Sequence, residues 1–149
     1  MIYLGADHRG YDLKAKIANW LSTRGYEFED MGPFAYDHDD DFTESTFLVA
    51  EQVSKNPDKN RGIVMCGSGV GVSIAANKLP KVRCGLGFAE DQVHAARKDD
   101  NINILAIASD NTDEIHALKL VEKFLDTLFI ESERYLRRIE KISRFEKII

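Results

Sequence analysis

One stretch constrains the fold of this chain more than any other: Gly62-Ile63-Val64-Met65-Cys66, followed at once by Gly67-Ser68-Gly69-Val70-Gly71. The first part is apolar without alternation, which suits a strand buried on both faces of a parallel sheet. Glycines then come at every second position, and Val72 to Lys78 reads as a helix ended by Pro80. The same strand-then-helix order recurs along the chain. Ile2 to Ala6 is apolar; Leu13, Ile17, Trp20 and Leu21 then repeat at helical spacing until Gly25 stops them. Tyr26 to Asp30 reads as a second strand, Met31 to Asp41 as an irregular loop, and Phe47, Val49, Ala50 and Val53 as a second helix face. Val82 to Gly87 and Ile104 to Ser109 are further strands, with a helix from Asp91 to Lys98 between them. Asn111 with Glu114 reads as a capping box that opens a helix from Asp113 to Leu128, and a last helix carries a basic tail. This alternation predicts an α/β fold: a Rossmann-like, three-layer α/β/α domain over residues 1–149 with a five-stranded parallel sheet.

Composition and charge exclude several classes of function. No apolar run approaches the roughly 20 residues of a membrane span. Met1 to Gly5 has no basic region ahead of an apolar segment, so it reads as a strand and not an export signal. Cys66 and Cys84 lie in different segments and form no metal-ligand pair, which with reduced thiols suits a cytoplasmic protein. The net charge of −5 argues against a nucleic-acid partner. Residues 131 to 149 depart from that balance, with six basic groups against four acidic ones. That is too few for a DNA footprint and enough to meet one small anion.

Open parallel sheets bind ligands at the carboxyl ends of their strands. That rule selects Asp7-His8, Asp41-Phe42, the glycine loop, and the segment after Ser109. Backbone N–H groups of Gly67, Gly69, Val70 and Gly71 suit an anion, although the same spacing also suits a tight turn. The loop has neither the Lys-Ser/Thr of a nucleotide P-loop nor the position of a dinucleotide fingerprint. Cys66 stands where a helix N-terminus favours a thiolate, which would serve as base or nucleophile; an inert buried cysteine is the alternative. The hydroxyl of Ser68 could meet a developing oxyanion or hold the turn. Arg134 and Arg138, four apart, share a helix face and could clamp a phosphate, or else form a solvated face with Glu133 and Glu140. His38, His94 and His116 lack ligand neighbours at metal spacing, so no metal is assigned. The acidic run Asp37, Asp39, Asp40 and Asp41 reads as a solvated loop with one carboxylate available to sugar hydroxyls.

Taken together, these pieces resemble the ribose-5-phosphate isomerase B family, which includes galactose-6-phosphate isomerase subunits. The resemblance rests on Gly5-Ala6-Asp7-His8-Arg9-Gly10-Tyr11, on Gly62 to Gly71, on Ile74-Ala75-Ala76-Asn77-Lys78, and on Arg134 with Arg138. It implies an aldose–ketose isomerase of a small sugar phosphate that works through a cis-enediolate, with Cys66 as the base. It also implies Ser68 and the glycine loop at the enediolate oxygen, and His8, Arg134 and Arg138 at the phosphate. Asp7, Asp41 and Asp100 join the substrate-binding set, and Asp99 the catalytic one. No cofactor or metal is implied. The family's site lies between subunits, so a homodimer or tetramer with shared sites is expected, its C-terminal helix reaching the partner.

Three positions depart from the family. Asp99-Asp100-Asn101-Ile102-Asn103 stands where the family has His-Asn-Asp-x-Asn, and the missing histidine is the ring-opening group. Asp110 replaces an arginine that contacts phosphate, and would repel an anion unless paired. Phe42 and Thr43 replace the last two residues of Asp-Tyr-Pro. Ribose 5-phosphate is the default substrate. A tetrose 4-phosphate or hexose 6-phosphate, or a non-catalytic sugar-phosphate-binding subunit, are the alternatives.

Overall fold

In the computed structural model, which describes residues 1–148, all five strands run parallel in the order β2-β1-β3-β5-β4. Ile149, the last residue of the expected domain, lies outside the described residues. The strands are β1 (Ile2–Ala6), β2 (Phe28–Asp30), β3 (Arg61–Cys66), β4 (Cys84–Gly87) and β5 (Ile104–Ala108). The helices are α1 (Tyr11–Thr23), α2 (Phe42–Lys55), α3 (Val70–Ala76), α4 (Glu90–Asp100), α5 (Glu114–Asp126) and α6 (Glu133–Glu146). No helix is long and apolar enough to cross a membrane among the described residues.

Alternation along the strands builds two cores. Ile63 and Met65 of β3 pack with Leu13 and Ile17 of α1 and with Leu120, Val121 and Phe124 of α5. Val64 and Cys66 turn the other way, onto Val49, Ala50 and Val53 of α2 and Val72 and Ala76 of α3. Each of the fully buried aliphatic side chains contributes roughly 1.5–3 kcal/mol. That is why β3 must be apolar on both faces.

Local chemistry moves some boundaries. Tyr26 leaves β2, because its ring stacks on Trp20 and its N–H donates to the Leu21 carbonyl. The α5 cap is Asp113 and not Asn111: the Asp113 carboxylate accepts the His116 N–H (2.8 Å). Helix α2 starts earlier than its apolar face suggests, and α4 runs through Asp100. There the Arg97 guanidinium, itself buried, donates to Asn101 Oδ1 and to the Ile102 carbonyl. Those bonds hold the turn that ends α4.

Helix α6 has no buried residue. It lies along α4 and the amino end of β4, where Glu146 accepts the Lys81 N–H (3.1 Å).

Candidate active site

The chain leaves β1 towards β2 on one side, while β3 lies on the other. This reversal opens a crevice at the carboxyl ends of β1 and β3. Ala6 pairs with Met65, and the Asp7 N–H continues the ladder to the Met65 carbonyl (3.2 Å). Asp7-His8 and Cys66, far apart in sequence, thus become neighbours.

Asp7 is buried, and its Oδ1 accepts the N–H groups of Arg9 (2.9 Å) and Gly10 (3.0 Å). This turns the chain into α1 and sets His8 at the sheet's end. Asp40 then fixes His8: its Oδ1 accepts the His8 N–H (2.9 Å) and lies 2.7 Å from Nδ1. With Nδ1 taken, Nε2 is the ring nitrogen left for a ligand. The acidic loop is therefore not wholly solvated, and Asp40 has a role that its three neighbouring aspartates concealed. Asp7, His8 and Asp40 each bring a ligand atom within 4.8 Å of the others, a grouping that these hydrogen bonds account for.

Cys66 is buried at the end of β3, its carbonyl accepting the Ser109 N–H (2.9 Å). Gly69 caps α3 with φ +70°, and a Cβ there would lie 2.5 Å from Leu86 Cδ1 and 3.0 Å from the Ala108 nitrogen. Left-handed geometry and lack of space both require glycine. Ser68 is exposed, and its Oγ accepts the Val70 N–H (3.3 Å), so its own hydroxyl proton stays available. Phe42 lies over Gly71, which leaves no room for a side chain. Asp41 caps α2 in extended backbone without a side-chain bond to it, and lines a cavity of about 210 Å³ with Ala6, Asp40, Glu44 and Ser45. Asp110, the acid expected to repel an anion, is ion-paired with Arg9, and its N–H donates to the Gly67 carbonyl (3.0 Å).

The remaining predicted residues form a second group at the opposite end of the sheet. Asp99 is half-buried and 3.4 Å from Lys98 Nζ. Asp100 is exposed and lines a cavity of about 660 Å³ with Val82, Cys84, Ile142 and Phe145. Arg134 and Arg138 are exposed on α6 and have no hydrogen-bond or ion-pair partner among the described residues. Helix α6 is tied to this end by Glu146 and by the Ile130 N–H to Lys98 carbonyl bond (3.0 Å). Within one chain these four residues do not join Cys66.

Known proteins carry the same arrangement of segments. A model described as ribose/galactose isomerase matches residues 2–142. Ribose-5-phosphate isomerase B of Mycobacterium tuberculosis is 36% identical over 146 residues, covering 98% of this chain and 90% of its own. The structure of Mycoplasma genitalium ribose-5-phosphate isomerase B with bound ribulose-5-phosphate superposes with a TM-score of 0.96 at 41% identity, covering 99% of this chain and 97% of its own. That of the Clostridium thermocellum ribose-5-phosphate isomerase B gives 0.93 at 37%, with the same coverage. On sequence and on fold alike, the chain belongs to the ribose/galactose isomerase family.

Proposed function

We propose that this protein interconverts ribose 5-phosphate and ribulose 5-phosphate through a cis-enediolate, with Cys66 as the base. The observation that carries it is the position of Cys66: it ends β3 beside the Asp7-His8 turn and before the glycine loop, in a chain whose solved relative holds ribulose-5-phosphate. The Cys66 thiolate takes the proton from C2 of the open-chain aldose, and the C1 carbonyl becomes an oxyanion. Backbone N–H groups of the loop and the Ser68 hydroxyl hold that charge; one preorganised donor of this kind is worth roughly 3 kcal/mol. The thiol then returns the proton to C1 while the O2 proton passes to O1, so no proton is gained or lost. Asp7 shapes the turn, His8 presents Nε2 to the phosphate, and Asp41 lies within reach of sugar hydroxyls.

Asp99, Asp100, Arg134 and Arg138 complete the site from a second copy of the chain. Two observations support this. The four residues sit at the far end of their own sheet, and apolar Leu136, Ile142 and Phe145 on α6 lie exposed, as do Val70 and Ile74 on α3. Asp99 takes the anomeric hydroxyl proton as the furanose C1–O bond breaks, and the ring oxygen is protonated by solvent. Both cysteines are free, which suits a single reduced domain in the cytoplasm.

Isotope exchange tests this reading. In deuterated water the protein should place deuterium at C1 of ribulose 5-phosphate and C2 of ribose 5-phosphate, and Cys66→Ala should abolish both. Exchange that survives Cys66→Ala would remove Cys66 as the base. Exchange with a tetrose or hexose phosphate, and none with ribose 5-phosphate, would replace the substrate.

A further inference from the structure

Arg9 follows His8 directly, and its backbone N–H is already tied to Asp7. Its side chain reaches across the sheet's end to Asp110, beyond β5. Between these anchors the guanidinium covers Gly67, the residue next to Cys66. A Cβ on Gly67 would lie 2.5 Å from Arg9 Nε and 2.7 Å from Nη1. Asp110 in turn is fixed by its N–H to the Gly67 carbonyl. One cation thus spans the ends of β1, β3 and β5, the three central strands.

The pairing does not use up this cation. Asp110 engages Nη2, whereas Nε and Nη1 have no acceptor among the described residues. The Arg9 side chain is 55% exposed, so it remains accessible to a ligand. An always-charged group with free N–H donors, next to His8 and over the residue that follows Cys66, has the chemistry to bind a phosphate.

From this geometry we propose that Arg9 is a ligand for the substrate's phosphate, supplied by the same chain as Cys66, with Asp110 as its tether. The inference rests on the isomerase reading above. It adds a cation on the Cys66 side of the site, whereas the sequence suggested only His8 there.

Titration separates the two claims. Inorganic phosphate is titrated calorimetrically into wild type, Arg9→Gln and Arg9→Lys, and KM for ribose 5-phosphate is measured on the same proteins. Arg9→Gln should weaken phosphate binding and raise KM together, each on the order of tenfold. Arg9→Lys, which keeps the charge and loses the planar donors, should recover part of both. Unchanged phosphate affinity in Arg9→Gln would overturn the proposal, as would a fall in kcat alone or a wild type that binds no phosphate. If wild type binds phosphate and leaves ribose 5-phosphate unchanged, the isomerase reading falls while the comparison of variants still decides the role of Arg9.

Discussion

The two ends of the sheet are built differently. At the carboxyl end, nearly every candidate residue is held by something else: Asp7 by two N–H groups, His8 by Asp40, Gly69 by its neighbours, Asp110 by Arg9. Even the irregular loop is anchored, because the buried Lys14 ammonium donates to both Asp30 oxygens (2.6 and 2.8 Å) and to the Pro33 carbonyl (2.7 Å). At the amino end, Arg134 and Arg138 project from a helix with no buried residue. The difference teaches what a single chain can preorganise. Groups at strand ends inherit the rigidity of the sheet; groups on a surface helix need another surface to fix them.

The largest effect expected from this contrast is at Cys66. Cys66→Ala should lower kcat on the order of a thousandfold while leaving the melting temperature near that of wild type, as steady-state assay and calorimetry would show. Lys14→Met should come next, since it strands Asp30 and frees the loop that carries Asp40. A loss of about 3 kcal/mol in urea-unfolding stability is expected, near the low end for a buried pair because Asp30 is part-exposed. A loss under about 1 kcal/mol would mean that the loop is not braced this way.

Arg134→Ala with Arg138→Ala should raise KM on the order of a hundredfold with no loss of stability, since neither side chain supports the fold. Mixing that double variant with Cys66→Ala, through unfolding and refolding together, should restore activity. Each mixed pair would then have one intact site. No recovery would show that both groups serve one chain's own site. Gly69→Ala should cost about 1–3 kcal/mol, and it should disturb kcat more than KM if the loop holds the enediolate as proposed.

The smallest effect separates the two cysteines. Cys84 begins β4 at the amino end. The residue as a whole is part-exposed, yet burial of its thiol pushes it up to about 12, against a hydrogen bond from Ser73 that lowers it. Cys66→Ala protein should therefore take up almost no iodoacetamide at pH 8, by mass spectrometry. A buried thiol of raised pKa favours the folded state only while the unfolded thiol is also neutral. Relative to Cys84→Ala, wild-type stability should hold below about pH 9 and fall as pH rises towards about 12.

Much of this was legible in the residues. The order of strands and helices followed from apolar runs and periodicity, and the site's position followed from where apolar strands give way to polar or glycine-rich turns. Boundaries were less legible. Nothing in the order of residues prefers Asp113 to Asn111 as a cap, or removes Tyr26 from β2; a side-chain bond to His116 and a ring stacked on Trp20 decide these. The same holds for Asp40, one of four neighbouring aspartates, and for Arg9 with Asp110, whose pairing crosses three strands.

By itself, the sequence determined the fold class, and it singled out Cys66 as the proposed base and the glycine loop as the proposed holder of the enediolate charge. These are local properties: backbone conformation, apolar patterning and the chemistry of one thiol. Tertiary structure decided which residues meet. The sheet order places Asp7-His8 beside Cys66, turns Asp110 from a repulsive acid into the partner of Arg9, and leaves Asp99, Asp100, Arg134 and Arg138 at the other end. Pairing across strands depends on the path of the whole chain, and no short stretch of residues encodes that path.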